Sequence, residues 1–202
     1  MFDVLILGGG VSGMSCALVL GSAKNKPFVI DKKIGIITHQ KTSSLQEALI
    51  NNGYGIAPGK LGSDLLLESI QHLSETYPHI TQIPNEKVLK VEGEFPEFTI
   101  TTNKNSYKSK MVVVGIGAAN TFAIEGLMHY VESHKKIPVE KQRIQLKNND
   151  HKVAEGIYVT GTLAGWRSQV AIAAGSGAAV ATDILTLWNR GIQTQSHDSI
   201  KK

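Results

Sequence analysis

The sequence predicts an α/β fold in which a parallel sheet carries helices on both faces and a β-meander insertion. Three observations predict this class. The apolar run Phe2–Leu7 leads directly into the glycine-rich stretch Gly8–Gly13. Residues 84–114 alternate with a period of two, and turn residues separate the alternating stretches. The short apolar segment Gly156–Gly161 precedes a long helix of small residues, so strands and helices alternate as in parallel-sheet folds.

The opening segment predicts a strand, a tight glycine turn and a helix. Gly8-Gly9-Gly10-Val11-Ser12-Gly13 follows the first apolar run, and Asp31 closes a second apolar run, Phe28-Val29-Ile30, eighteen residues later. The first glycine permits the sharp turn, the second lets the backbone approach a pyrophosphate, and the third lets the helix pack on the strand. The helix from Val11 points its unpaired N–H groups at the phosphates, and the Asp31 carboxylate is placed to accept from ribose hydroxyls. This set predicts a Rossmann-like unit that binds a dinucleotide, without distinguishing NAD from FAD.

The rest of the chain predicts one domain followed by a short polar end. A length of 202 residues, with 42% hydrophobic and 19% charged residues, is typical of one globular domain. We expect that domain over residues 1–190, with the β-meander at about 84–114, and a polar C-terminal tail over 191–202. The continuous apolar run Met111–Val114 is typical of a strand buried on both faces, and it ends at Gly115-Ile116-Gly117.

Composition and charge limit the classes of function. The chain has 21 Lys and Arg against 17 Asp and Glu, and this scattered excess of +4 suits an anionic ligand but does not indicate nucleic-acid binding. The single cysteine, Cys16, excludes an intrachain disulfide and a Cys-x-x-Cys motif. No basic leader precedes the first strand, and no apolar stretch approaches the roughly 20 residues of a membrane span. We therefore expect a cytoplasmic protein with no membrane partner.

Three separated segments resemble the first, middle and last FAD-contact motifs of the low-molecular-weight thioredoxin reductases, within the pyridine nucleotide-disulphide oxidoreductases. The segments are Gly8–Gly13, Val112–Ala118 and Gly156–Ala179. In that family the last motif reads roughly G-I-[FY]-A-x-G-D, a loop, R-Q-A and a helix of small residues. This chain has Gly156-Ile157-Tyr158-Val159-Thr160-Gly161-Thr162, a loop, Ser168-Gln169-Val170 and such a helix. The resemblance implies a flavoprotein oxidoreductase with FAD as cofactor.

The resemblance also implies roles for individual residues. The pyrophosphate would be held at Gly8, Gly10, Ser12 and Gly13, and the adenosine ribose at Asp31. Val88 would meet adenine through its backbone, and Gly115 would lie close to the cofactor. The ribityl chain would lie at Gly161 and Thr162, and the pyrimidine edge of the flavin would meet backbone N–H groups of Gln169 and Val170. The full predicted cofactor-binding set is Gly8, Gly10, Val11, Ser12, Gly13, Asp31, Lys32, Gln40, Asn52, Val88, Gly115, Gly117, Gly161, Thr162, Gln169 and Val170.

The chain also departs from that family. Family members carry an NAD(P)H-binding domain between the middle and last motifs, whereas about 40 residues separate Gly117 from Gly156, too few for a domain. The redox dithiol of that domain is absent as well, and the acid after the last-motif glycine is replaced by Thr162. We therefore expect an FAD-binding half that uses an external electron donor or acceptor: a free nicotinamide, a thiol or a protein partner. An open flavin face also favours a homo-oligomer.

Two other functions stay open at this point. One is a flavin-binding regulatory or scaffold protein without turnover, because no electron relay is recognisable. The other is an NAD-binding dehydrogenase that uses the first motif alone. No catalytic base is assigned, because the cofactor of a flavin oxidoreductase carries the chemistry. His39 with Gln40 lies either near the flavin or in a solvated loop, and Asn51 and Asn52 either hydrogen-bond the flavin or shape their turn.

Overall fold

A computed structural model of the chain describes residues 1–39 and 43–196. Within these residues the chain forms twelve strands and three α-helices. The strands are β1 Phe2–Leu7, β2 Ile34–Thr38, β3 Leu49–Ile50, β4 Lys60–Leu61, β5 Thr81–Pro84, β6 Val88–Glu94, β7 Glu97–Thr102, β8 Ser106–Val114, β9 Val131–Ser133, β10 Ile144–Leu146, β11 Lys152–Ala154 and β12 Ile157–Val159. The helices are α1 Val11–Ser22, α2 Gly62–Thr76 and α3 Val170–Trp188.

Parallel strands form the centre of the main sheet, in the order β12-β8-β1-β2-β5. The register pairs Leu7 of β1 with Ile37 of β2 and with Val114 of β8, and it pairs Val114 with Val159 of β12. β1, β12 and the second half of β8 are almost wholly apolar and buried on both faces, and β2 is buried throughout, whereas the edge strand β5 is largely exposed. The carboxyl ends of the parallel strands meet along one edge of the sheet.

The meander consists of β6, β7 and the first half of β8, in antiparallel pairing. Phe98 of β7 pairs with Ser109 of β8, and Thr101 pairs with Ser106. The second half of β8 leaves β7 and pairs with β1 from Ser109 to Val114. One long strand thus belongs to both the meander and the parallel sheet.

The two faces of the sheet are covered by different elements. On one face, Leu20 of α1, Leu73 of α2 and Ile184 of α3 share a core with strand residues such as Ile6 and Val113. The other face packs against the meander and the segment 118–150, through Phe98, Ile100, Leu127 and Leu146. The α/β class with a mostly parallel sheet is confirmed, but the expectation of helices on both faces is wrong. The meander strands have their own apolar side, and they bury it by occupying the second face.

The second strand lies later in the chain than predicted. Phe28-Val29-Ile30 is part of a succession of turns, in which the Val29 N–H donates to the Lys26 carbonyl at 2.8 Å and the Lys32 N–H donates to the Val29 carbonyl at 2.8 Å. β2 is Ile34–Thr38, and each of its five residues is buried. Ile30 at the end of the earlier run is largely exposed, whereas the later run is buried along its whole length and pairs with β1 and β5.

Helix α3 corrects another expectation. Among the described residues it is the one helix that is long and apolar enough, by length and composition alone, to cross a membrane, with 19 residues and a mean hydropathy of 1.6. The expectation that no apolar stretch approaches about 20 residues is therefore wrong. Val180, Ala181, Ile184 and Leu185 are fully buried against the sheet and α1. Within the described chain 33% of the apolar window of α3 is buried, so packing accounts for part of its apolar composition.

The beginning of the predicted polar tail folds back onto the helices. The Thr194 N–H donates to Thr186 Oγ1 at 3.1 Å, and Asn189 Nδ2 donates to Thr194 Oγ1 at 2.9 Å. Ser22 Oγ of α1 donates to Ser196 Oγ at 2.9 Å. These contacts hold residues 189–196 against α1 and α3. Residues 197–202 lie outside the described part of the chain.

Candidate dinucleotide-binding site

Three turns meet at the carboxyl edge of the sheet, and the first residue of each turn donates one more backbone hydrogen bond to the neighbouring strand. The Gly8 N–H donates to the Ile37 carbonyl at 2.9 Å, and the Gly115 N–H donates to the Leu7 carbonyl at 2.8 Å. The Thr160 N–H donates to the Val114 carbonyl at 3.0 Å. The first, middle and last motifs are therefore fixed side by side, although 98 residues of sequence lie between the first and middle motifs.

The glycines at this edge approach one another more closely than side chains would allow. Gly8 has a φ of +113°, and a Cβ on it would lie 2.7 Å from the Gly115 carbonyl oxygen. A Cβ on Gly115 would lie 3.1 Å from the Gly13 Cα, and one on Gly13 would overlap the Gly8 carbonyl oxygen. Gly8, Gly13 and Gly115 are thus required by the close approach of the first and middle motifs.

The last motif lies on the beginning of α1. Gly161 has a φ of +68°, and a Cβ on it would lie 2.8 Å from Ser12 Oγ. Thr160 Oγ1 donates to Ser12 Oγ at 3.0 Å, and both residues are buried. A Cβ on Gly177 of α3 would overlap the Ser12 carbonyl oxygen. Ser12 is therefore the point at which the first and last motifs touch.

The surroundings of the helix ends suit an anion. Neither α1 nor α3 has an acidic residue in its first turn, so no carboxylate opposes the positive end of either helix dipole. A Cβ on Gly10 would have a single close neighbour, the Gly115 carbonyl oxygen at 3.9 Å, and one on Gly117 would have none within 4 Å. The backbone at these two glycines is therefore open to a ligand.

Val11 and Val170, the first residues of α1 and α3, line one groove with a volume of about 460 Å³. Its walls are mostly apolar, with a few polar side chains such as Ser15, Ser69 and His72. The structure therefore brings together the beginnings of these two helices, as the predicted cofactor-binding set requires. The Gln169 N–H, however, donates to the Arg167 carbonyl at 3.0 Å, so this amide is engaged within the chain.

Asp31 and Lys32 do not lie at this edge. Both precede β2, so they lie at the amino end of the parallel strands, opposite the glycine turns. The Lys32 ammonium is 3.8 Å from Asp3 Oδ1, near the beginning of β1, and 5.5 Å from the centre of the Trp188 ring. The assignment of these two residues to the cofactor is therefore wrong, because it depended on a strand that ended at Asp31.

Val88 and Asn52 lie on other elements. Val88 begins β6, pairs with Thr102 and packs in the core cluster that contains Leu7 and Val114, and Asn52 is exposed in the turn before Gly53. Gln40 lies outside the described residues. The assignments of Val88 and Asn52 stay predictions.

His39 occupies the place that Asp31 was predicted to fill. It directly follows β2, at the carboxyl edge, and the neighbouring Thr38 carbonyl accepts from the Asn85 N–H at 3.3 Å. The Nδ1 atom of His39 is buried and has no hydrogen-bond partner among the described residues. Sequence reasoning left His39 open between a place near the flavin and a solvated loop, because it placed the second strand too early; the apolar run Ile34–Ile37 was the signal for the later strand.

These residues fit a phosphate-bearing dinucleotide. The site combines two helix ends without first-turn acids, glycines with open backbone, and an unpartnered ring nitrogen at the end of the neighbouring strand. A parallel sheet with such a turn at its carboxyl edge defines a nucleotide-binding protein of the Rossmann type.

The chain belongs to the pyridine nucleotide-disulphide oxidoreductase family, whose model matches residues 2–177. The chain is 28% identical over 140 residues to a ferredoxin–NADP reductase of Streptococcus pneumoniae strain R6, covering 66% of this chain and 42% of that protein. The chain is 27% identical over 147 residues to the ferredoxin–NADP reductase of Streptococcus pneumoniae serotype 19F strain G54. This match covers 72% of this chain and 44% of that protein. The chain thus spans less than half the length of these curated relatives.

Solved structures show the same fold. A thioredoxin reductase from Gloeobacter violaceus matches with a TM-score of 0.70 at 15% identity, covering 99% of each chain. An oxidoreductase from Agrobacterium tumefaciens matches with a TM-score of 0.68 at 16% identity, covering 95% of this chain and 98% of that chain. A ferredoxin-flavin thioredoxin reductase from Clostridium acetobutylicum matches with a TM-score of 0.67 at 17% identity, covering 93% of this chain and 98% of that chain. The resemblance to thioredoxin reductases is confirmed at the level of the fold.

Proposed function

We propose that this chain binds FAD along the carboxyl edge of its sheet and acts as an oxidoreductase with an external electron partner. The observation that carries the proposal is the convergence of three glycine turns on Ser12 and Gly115. A dehydrogenase that used the first motif alone would not require the middle and last motifs to close on it. Bound FAD would supply the redox chemistry, and the residues of the chain would hold and orient it.

The electron partner is proposed to be external because the chain offers no reactive thiol of its own. Cys16 is fully buried in the core, and burial raises the pKa of its thiol, so that the nucleophilic thiolate is disfavoured. Between the middle and last motifs, the described chain folds as the β9–β10 hairpin, strand β11 and connecting turns. A free nicotinamide, a soluble thiol or a protein partner would have to approach from solution. The names of the relatives make ferredoxin and NADPH the first candidates.

Self-association is part of the proposal. Leu49 and Leu61 pair across the β3–β4 hairpin, and both are largely exposed. Leu67 of α2 and Tyr54 are exposed as well. An apolar surface of this kind favours a homo-oligomer, which light scattering at micromolar concentration would detect as a mass above 21.8 kDa. We propose a cytoplasmic protein with no nucleic-acid or membrane partner.

The visible spectrum of the purified protein, with the released cofactor identified by mass, tests the proposal. We expect a flavin absorption band and the mass of FAD. Anaerobic mixing with NADPH, NADH, a dithiol or reduced ferredoxin should then bleach the band, and an acceptor should restore it. Flavin that no donor bleaches would favour a binding protein without turnover. Failure to take up FAD, with saturable binding of NAD instead, would favour the simple dehydrogenase.

A further inference from the structure

The turn at Gly161–Gly165 belongs to the candidate site, and buried side chains hold it by hydrogen bonds. Its 3-10 segment, Gly161–Ala164, lies between β12 and α3, and Gly165 closes it with a φ of +88°. Gly161 lies against Ser12 of α1, beside the predicted pyrophosphate position. The resemblance places the ribityl chain of FAD at Gly161 and Thr162. A shift of this turn would therefore displace the part of the chain that meets the cofactor.

His134 holds the turn through the Thr162 carbonyl, which lies 3.1 Å from its Nε2 atom. The backbone N–H of Lys136, which can only donate, lies 3.1 Å from Nδ1 of the same ring. Nδ1 is therefore the acceptor, and Nε2 carries the proton that is donated to Thr162. His134 is buried, so water does not compete for this bond.

Ser176 and His151 hold the other end of the turn. The Gly161 N–H donates to Ser176 Oγ at 2.7 Å, and this hydroxyl lies 2.9 Å from His151 Nε2. Trp166, just beyond the turn, donates its indole N–H to the same Nε2 at 3.0 Å. Because an indole nitrogen can only donate, Nε2 is an acceptor and the Ser176 hydroxyl donates to it. One buried ring nitrogen thus connects the beginning of the turn, α3 and the segment that leads into α3.

The Ser176–His151 pair is not arranged for nucleophilic attack. Ser176 is 6% exposed, and its oxygen already accepts the Gly161 N–H. The Asp150 carboxylate is 3.6 Å from His151 Nδ1, beyond hydrogen-bond distance. Serine and histidine therefore serve here as hydrogen-bonding groups of the interior rather than as a catalytic pair.

His151 is placed by a tight turn. Asp150 and His151 have φ values of 45° and 70° and form the two central residues between Asn149 and Lys152, whose backbones exchange two hydrogen bonds. Positive φ at both central residues is usual for such a two-residue turn. Asn148 Oδ1 also accepts the His151 N–H at 3.1 Å and so supports this conformation.

We propose that His134, His151 and Ser176 are positioning residues, which fix the Gly161–Gly165 turn from the protein interior so that it can hold FAD. This inference rests on the FAD binding proposed above. None of the three belongs to the cofactor-binding set predicted from the sequence. His134 and Ser176 hydrogen-bond the turn directly, and His151 hydrogen-bonds Ser176.

The substitutions that test this role are chosen to remove one bond at a time. S176A removes the acceptor of the Gly161 N–H at nearly constant volume. H134N keeps an acceptor for the Lys136 N–H but is too short to reach Thr162, whereas H134Q can place an amide N–H where Nε2 lies. S109A is the matched control, because Ser109 is a fully buried hydroxyl in the first half of β8 that donates to the Met111 carbonyl at 2.7 Å.

Two measurements separate the outcomes. Amide hydrogen exchange of the protein without FAD should rise at 161–165 in S176A and H134N, and FAD affinity should fall about tenfold in both, since one buried hydrogen bond is lost in each. H134Q should recover most of the affinity, and S109A should leave it within about twofold of the wild type. Unchanged FAD affinity in both S176A and H134N, with normal binding by the wild type, would overturn the inference. Failure of the wild type itself to bind FAD would overturn the proposed function and this inference together. If S176A does not fold, as judged by circular dichroism, then W166F takes its place; it removes the indole donor to His151 and keeps an aromatic ring beside His151 and Lys136.

Discussion

At the scale of single residues, position relative to a strand end decides which residues can reach a ligand. Asp31 has the residue type and spacing of a ribose-binding acid, yet it lies at the amino edge of the sheet. His39 has neither, yet it follows the carboxyl end of β2, and its buried Nδ1 has no hydrogen-bond partner within residues 1–39 and 43–196. An unpartnered buried nitrogen is destabilising, and a ligand hydroxyl would relieve that cost.

A pair of substitutions separates these two residues. We expect H39A to weaken FAD binding about fivefold, because one hydrogen bond to the cofactor is lost. D31A should leave the affinity unchanged within about twofold, since its side chain is exposed at the opposite edge. Fluorescence titration of each variant with FAD measures both values. A larger loss in D31A than in H39A would show that the assignment of His39 is wrong.

At the scale of elements, the contact between α1 and α3 fixes the geometry of the site. Gly177 of α3 lies so close to α1 that a Cβ would overlap the Ser12 carbonyl oxygen and lie 3.0 Å from the Cys16 nitrogen. Gly175 lies two residues earlier, is exposed, and has nothing within 4 Å of a Cβ position. The same residue type thus serves close packing at one position and has no packing role at the other.

This difference has a measurable consequence for stability. We expect G177A to lower the free energy of unfolding by about 1–3 kcal/mol, because the added methyl group forces α1 and α3 apart. G175A should raise it by as much as about 1 kcal/mol, because alanine is the better helix former and meets no neighbour. Urea unfolding of both variants without FAD provides the comparison. Equal effects of the two substitutions would mean that α1 and α3 are not in close contact at Gly177.

At the scale of the whole molecule, a buried carboxylate joins three strands at the amino edge of the sheet. Asp3 of β1 accepts from the Lys33 N–H at 2.9 Å, just before β2, and from the Lys110 ammonium of β8 at 2.9 Å. Burial by itself raises the pKa of Asp3, but the Lys33 amide and the Lys110 ammonium together outweigh it. The pKa of Asp3 therefore lies below its ordinary value of 3.8.

The sign of this shift gives a pH dependence. Because the folded protein holds the Asp3 proton less tightly than the unfolded chain, Asp3 stabilises the fold above pH 3.8, and this contribution is lost as the pH falls through the lower folded pKa. We expect D3N, which keeps an acceptor for the Lys33 N–H, to be less stable than the wild type near neutral pH. The difference should shrink on acidification below about pH 4. Urea midpoints across this range measure it, and a constant difference at every pH would contradict the role of the charge.

The sequence by itself determined the strand Phe2–Leu7, the glycine turn, the helix after it and the small-residue helix that ends at Trp188. Each is a local pattern of apolar period and glycine placement, which a short window of sequence contains in full. The order of the three motifs sufficed to predict the family, because the chemistry of the turns depends on residue types that are visible in sequence.

Only the tertiary structure decided which apolar run became the second strand and which elements covered each face of the sheet. Both Phe28–Ile30 and Ile34–Ile37 are apolar. The first lies in a series of turns, and the second became part of β2, whose residues are all buried. Likewise, His134, His151 and Ser176 carry no signal in sequence. Their role exists only because β11, α3 and the loop around residue 134 meet behind one turn. Contacts between residues distant in the chain depend on the packed fold, and no local pattern records them.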